Sequence, residues 1–146
     1  MDERTDEDWM EMAIDYAGQR VGMTGDNPSV GCVLVRAGEL VAVAVTAEGG
    51  RPHAEEQALA AAGANAQGAT AYVTLEPCGA RTSGSASCAE LLVRAKVARV
   101  VVACLDGSPF ASGRAAEILA AAGILVDSGV LAEDAADLYE DYPHLG

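Results

Sequence analysis

The chain has 146 residues, 51% of them hydrophobic, which is enough to bury one core and too apolar for a disordered chain. Its 9 Lys and Arg against 22 Asp and Glu leave a net charge of −13, a field that repels phosphate backbones and anionic lipid headgroups, so no nucleic-acid or membrane partner is expected. No apolar run reaches the roughly 18–20 residues of a membrane span, and the acidic start (Asp2, Glu3, Asp6, Glu7, Asp8) is the opposite of a signal peptide's basic one, so the expected address is the cytoplasm.

Trp9, Met12, Ala13, Tyr16, Ala17 and Val21 recur at helical spacing behind an acidic first turn and predict a helix over 6–21, broken by 22–28. Two β-branched runs, 30–35 and 40–45, flank Arg36, Ala37, Gly38 and Glu39 and predict a hairpin. A helix follows over 54–62, stopped by Gly63. Beyond it come a strand over 71–75, a helix over 86–95 and an almost wholly apolar strand over 97–103. A helix over 113–122, a strand over 124–126 and a C-terminal helix over 131–142 complete the chain. Strands alternating with helices of about ten residues predict a three-layer α/β/α sandwich on a central five-stranded mixed sheet. Its later strands are expected to be parallel and fully buried. With no internal repeat and no long linker, 1–146 reads as one domain.

In a reducing compartment the four cysteines are core residues, metal ligands or catalysts rather than disulfides. Cys32 and Cys104 lie inside apolar strands and read as core. His53, Cys78 and Cys88 are different: one imidazole and two thiolates form a ligand set that zinc favours. Three protein ligands leave a fourth position open, as catalytic zinc sites do. His53 falls at the first turn of the 54–62 helix, so His53 and Glu55 both reach a metal seated over that helix N-terminus, although residues two apart share no lateral face. Cys88 opens the next helix, where free N–H groups favour thiolate. A carboxylate beside zinc-activated water is the general acid/base arrangement for hydrolytic attack, which gives that role to Glu55. Glu56 reads as a first-turn carboxylate favoured by the helix dipole.

His-x-Glu followed by Pro-Cys after a strand and a second Cys opening a helix is the zinc-deaminase pattern, here with Cys78 and Cys88 ten positions apart. With Asn27-Pro28-Ser29-Val30-Gly31-Cys32-Val33, Pro52-His53-Ala54-Glu55, the 69–78 run ending Leu75-Glu76-Pro77-Cys78 and the 97–103 strand, the chain resembles the cytidine deaminase-like superfamily. Within it, the chain is most similar to the pyrimidine deaminase domain of bacterial riboflavin biosynthesis. The resemblance implies zinc as cofactor on His53, Cys78 and Cys88, with Glu55 catalytic. It implies a hydrolytic deaminase that turns an exocyclic amino group of a pyrimidine-like heterocycle into a carbonyl and releases ammonia, working as a homodimer or homotetramer.

Asn27 and Asp106 are candidates to fix the ring, with Ala54, Thr74 and Leu75 lining it. Asp106, after a buried strand, either meets the ligand or simply turns the chain, and Arg81 either binds an anion or is solvated. Where the family usually carries a histidine seven positions before the zinc histidine stands Thr46, and the 79–87 stretch holds neither His nor Pro. A free base or nucleoside (guanine, a cytosine derivative or an aminotriazine) is the alternative substrate. A non-catalytic zinc-stabilised binding module is the alternative from another class.

Overall fold

In the computed structural model, which describes residues 5–23, 29–50, 52–75, 87–104 and 114–139, the first helix, α1 (Asp6–Gly18), opens on a capping box. The Thr5 hydroxyl accepts from the Asp8 N–H at 3.3 Å, and the Asp8 carboxylate accepts from the Thr5 N–H at 2.9 Å. The helix ends at Gly18 rather than at 21, because the next donors turn to acceptors three residues back: Gln19 to Tyr16, Arg20 to Ala17 and Met23 to Arg20.

The predicted hairpin is β1 (Gly31–Arg36) and β2 (Glu39–Val45). Its two-residue turn, Ala37-Gly38, has both φ angles positive (53° and 78°), the sense that matches strand twist. Then follow α2 (Ala54–Ala62), β3 (Thr70–Leu75), α3 (Cys88–Ala95), β4 (Arg99–Cys104), α4 (Arg114–Ala121), β5 (Leu125–Ser128) and α5 (Ala132–Ala136). The five strands form one sheet in the order β2-β1-β3-β4-β5. β1 is antiparallel to both its neighbours, and β3, β4 and β5 are parallel, so the sheet is mixed as expected.

The period of two along each strand sorts the core into two layers. Val33, Val35, Tyr72, Val101 and Ala103 pack against Trp9, Met10 and Ala13 of α1 and Ala135 of α5. Cys32, Leu34, Ala71, Val73, Val100 and Val102 pack on the other face against Ala54 and Ala58 of α2, Ala89 and Leu92 of α3, and Ala115 and Leu119 of α4. That is the three-layer α/β/α arrangement. Gly31 lies under α1, where a Cβ would meet the Ala13 carbonyl, so only a hydrogen there lets helix and strand pack this closely.

Three further expectations need correction. The last strand is parallel but not fully buried: β5 pairs only with β4, and its Leu125 is 68% exposed, because an edge strand lacks a second neighbour. The apolar strand starts at Arg99, since Lys96 takes a left-handed turn (φ 60°) closing α3, and Val97 packs into the core before the ladder begins. The C-terminal helix is one short α-turn, α5, followed by a 3-10 turn at Asp137–Tyr139, after which the described residues end.

One ion-pair network ties the start of the chain to the far strands. Arg99 on β4 donates to both Asp6 carboxylate oxygens (2.9 and 2.8 Å) and to Asp127 of β5 (2.8 Å). The Tyr72 hydroxyl donates to Asp6 at 2.7 Å. The Arg99 hydrogen bonds hold the Asp6 carboxyl below its ordinary pKa against the opposing effect of burial, with Tyr72 adding to the shift.

Candidate metal and catalytic site

Chain direction brings the two site helices together. α2 runs back along the sheet before β3 and α3 follows β3, so both helices have their N-termini at the carboxyl end of β3. This is where open α/β sheets place their ligands. His53 is the N-cap of α2, in extended backbone (φ −70°, ψ 160°), and its backbone N–H donates to Glu56 Oε1 at 3.2 Å. Ser87 caps α3 by accepting from the Glu90 N–H at 3.2 Å, which makes Cys88 the first helical residue.

The His53 Nδ1 and Cys88 Sγ atoms are 3.4 Å apart. Bond lengths of about 2.0–2.1 Å to nitrogen and about 2.3 Å to sulfur at a tetrahedral angle separate two zinc ligands by about 3.6 Å, so this pair fits zinc. Glu56 Oε1 lies 3.9 Å from His53 Nδ1, and the three ligand atoms of His53, Glu56 and Cys88 all fall within 4.8 Å of one another. Sequence reasoning did not place Glu56 in this cluster. The signal was present in its spacing, three residues after the N-cap, from which a carboxylate returns to the cap's own N–H.

Glu55, one residue earlier, is only 3% exposed. Below it on β1 lies Cys32, wholly buried in the core with Ala54 and Ala58. Burial pushes the Cys32 thiol well up, and the Glu55 carboxylate pushes it further, so Cys32 remains a neutral core thiol as its strand context predicted. Cys104 is half-buried, with a thiol raised by burial that donates to the Ala132 carbonyl at 3.4 Å.

The remaining site residues divide by face. Ala54 and Leu75 are buried on the side of α2 and α3. Thr74 is wholly buried and alternates with Leu75, so its side chain lies on the α1 side. Its hydroxyl accepts from the Gly31 N–H at 3.0 Å and bonds the Tyr139 hydroxyl at 2.7 Å. Cys78, Asn27, Arg81 and Asp106 lie outside the described residues. No helix among the described residues is long and apolar enough to cross a membrane.

A five-stranded mixed sheet with a His/Cys pair at zinc spacing, and a buried glutamate two residues after the histidine, defines a zinc deaminase-type site. Residues 3–104 match the cytidine and deoxycytidylate deaminase zinc-binding region, and the chain belongs to this family. It is similar to the riboflavin biosynthesis protein RibD of Aquifex aeolicus, with 44% identity over 137 residues, covering 94% of this chain and 38% of that protein. Among solved structures it is similar to RibD of Acinetobacter baumannii (46% identity, TM-score 0.88, covering 94% of this chain and 38% of that one). A deaminase/reductase from Thermotoga maritima is also similar (34% identity, TM-score 0.84, covering 91% of this chain and 38% of that one). The chain thus spans less than two fifths of the length of these three relatives.

Proposed function

We propose that this chain is a zinc-dependent hydrolytic deaminase acting on the aminopyrimidine phosphate of the riboflavin pathway. In this reaction C–NH2 becomes C=O, water is consumed and ammonia leaves. The observation that carries the proposal is the 3.4 Å approach of His53 Nδ1 to Cys88 Sγ at two helix N-termini, with Glu55 buried two residues after His53. The names of the riboflavin biosynthesis proteins it resembles supply the substrate class.

His53 and Cys88, with Cys78, would hold the metal. Zinc in such a set acts as a Lewis acid and lowers the pKa of water to about 7. Glu55 takes the proton from the attacking water and carries protons to the ring nitrogen and the departing amine. Its burial in the first turn of α2 keeps that carboxylate out of bulk water, so the proton moves between enzyme and substrate. Glu56 holds the His53 backbone, and through it the start of α2. Asn27 and Asp106 fix the ring, Ala54 and Leu75 line it, Thr74 braces the strand end from the opposite face, and Arg81 meets the substrate's phosphate.

The same reading makes residues 1–146 one deaminase domain, cytoplasmic and homo-oligomeric, with a small heterocyclic amine rather than nucleic acid or membrane as its partner. The test is ammonia release from a panel containing the pathway aminopyrimidine phosphate, cytosine and cytidine derivatives, guanine, adenine and aminotriazines. Selective turnover of the phosphate is expected. Turnover of only an unphosphorylated base overturns the pathway assignment, and a zinc-loaded protein inert on the whole panel favours a binding module.

A further inference from the structure

The buried hydroxyls at the far side of β3 form a directed chain whose two ends lie on one short segment. Tyr139 is 4% exposed, Thr74 is fully buried and Ser29 is 1% exposed. The Tyr139 O–H donates to the Ser29 carbonyl at 2.9 Å. A phenol has one proton, so the 2.7 Å contact between Thr74 and Tyr139 is donated by Thr74. The Thr74 oxygen in turn accepts from the Gly31 N–H at 3.0 Å. The order is therefore Gly31 N–H to Thr74, Thr74 O–H to Tyr139, and Tyr139 O–H back to Ser29. Each bond in such a chain polarises the next, and a buried group that loses its partner bears the desolvation cost. Ser29 is further fixed by its hydroxyl, which donates to the Ala17 carbonyl at 2.7 Å.

We propose that Tyr139 is a positioning residue for the deaminase site, a proposal that rests on the reading above. Its hydroxyl joins the segment entering β1 to the end of β3. Asn27 is two positions before Ser29 in the chain, and Cys78 is four positions after Thr74. A side chain from the Asp137–Tyr139 turn thus ties Ser29 to Thr74, the two points from which the chain leads to the proposed ring contact and the proposed zinc ligand, without touching substrate itself.

Tyr139→Phe, made in the full chain, tests this against Val101→Ala, which removes buried core volume on the same face of the sheet. Three quantities are read: KM against kcat, the rate of zinc release to a chelator, and amide exchange at Gly31, which needs neither zinc nor turnover. Tyr139→Phe is expected to raise KM, zinc release and Gly31 exchange each about tenfold, the equivalent of one lost buried hydrogen bond, with a smaller change in kcat. Val101→Ala is expected to leave KM and zinc release within about twofold even where its melting temperature falls further. Equal behaviour of the two variants overturns the inference. Should Tyr139→Phe fail to fold, Thr74→Val against Thr74→Ser asks the same question, with only the valine variant expected to show the change. Additive effects of Thr74→Val and Tyr139→Phe would show independent hydroxyls and also overturn it. A wild-type chain that takes no zinc and releases no ammonia sinks the deaminase reading itself, whatever the variants do.

Discussion

His53 Nδ1 and Cys88 Sγ stand 3.4 Å apart although 35 positions separate them in the chain. The approach follows from direction: one helix enters β3 and the next leaves it, so their N-termini meet. Two helix ends that favour anionic or soft ligands then face one point in space.

Cys88→Ser should therefore lower zinc affinity by more than about 100-fold, since even changes behind the ligands cost about 10–100-fold. Cys32→Ala, which removes a core thiol, should keep one zinc per chain. Metal content after dialysis against a weak chelator checks both. Loss of zinc from Cys32→Ala together with retention in Cys88→Ser would reverse the assignment of the two sulfurs.

Glu55→Gln keeps the size of the buried side chain and removes its capacity to take a proton. Turnover should fall by about 10²–10⁴-fold, the usual contribution of a positioned acid/base, while the metal stays. Ammonia release and zinc content measured on the same sample decide it. Normal turnover would end the role given to Glu55.

Gly31→Ala tests the packing of α1 on the sheet. The added Cβ meets the Ala13 carbonyl, which is backbone and cannot swing aside. Overpacking of this kind costs about 3 kcal/mol, read as a lower denaturation midpoint with an unchanged slope. A variant as stable as the parent would show that helix and strand are not held this closely.

Asp6 gives the fold an acid limb. Its folded pKa is held below the ordinary 3.8, chiefly by the Arg99 hydrogen bonds. The stability it adds is thus complete above about pH 5 and is lost as pH falls through the folded value. Its side chain is 37% exposed, so water screens the pair and the contribution is about 1 kcal/mol at most. Asp6→Asn should be less stable than the parent at pH 6 and should converge with it as the pH falls below the folded pKa, as followed by urea denaturation at each pH. A constant gap across that range would assign the effect to packing.

Much of the fold was legible because its elements differ in period. The strands show as short β-branched or apolar runs between segments of helical spacing, whereas the sorting of Val33 and Val35 from Cys32 and Leu34 onto two cores was not visible, because all four are apolar. The exposure of β5 was not legible, since Leu125 reads as apolar whether or not a sixth strand covers it. Glu56 was placed correctly as a first-turn carboxylate, but its approach to His53 and Cys88 depends on α3 arriving from elsewhere in the chain.

The chemistry of the site, one histidine, cysteines and a glutamate in a spacing suited to zinc, was determined by the sequence alone, because ligand softness and protonation are properties of side chains. That Cys88 comes within 3.4 Å of the imidazole, that Glu56 joins the pair, and that Tyr139 returns to Ser29 across 110 positions were decided only by the tertiary structure. Those relations are set by the order and direction of strands in the sheet, which place residues distant in sequence within hydrogen-bond reach while local preference remains unchanged.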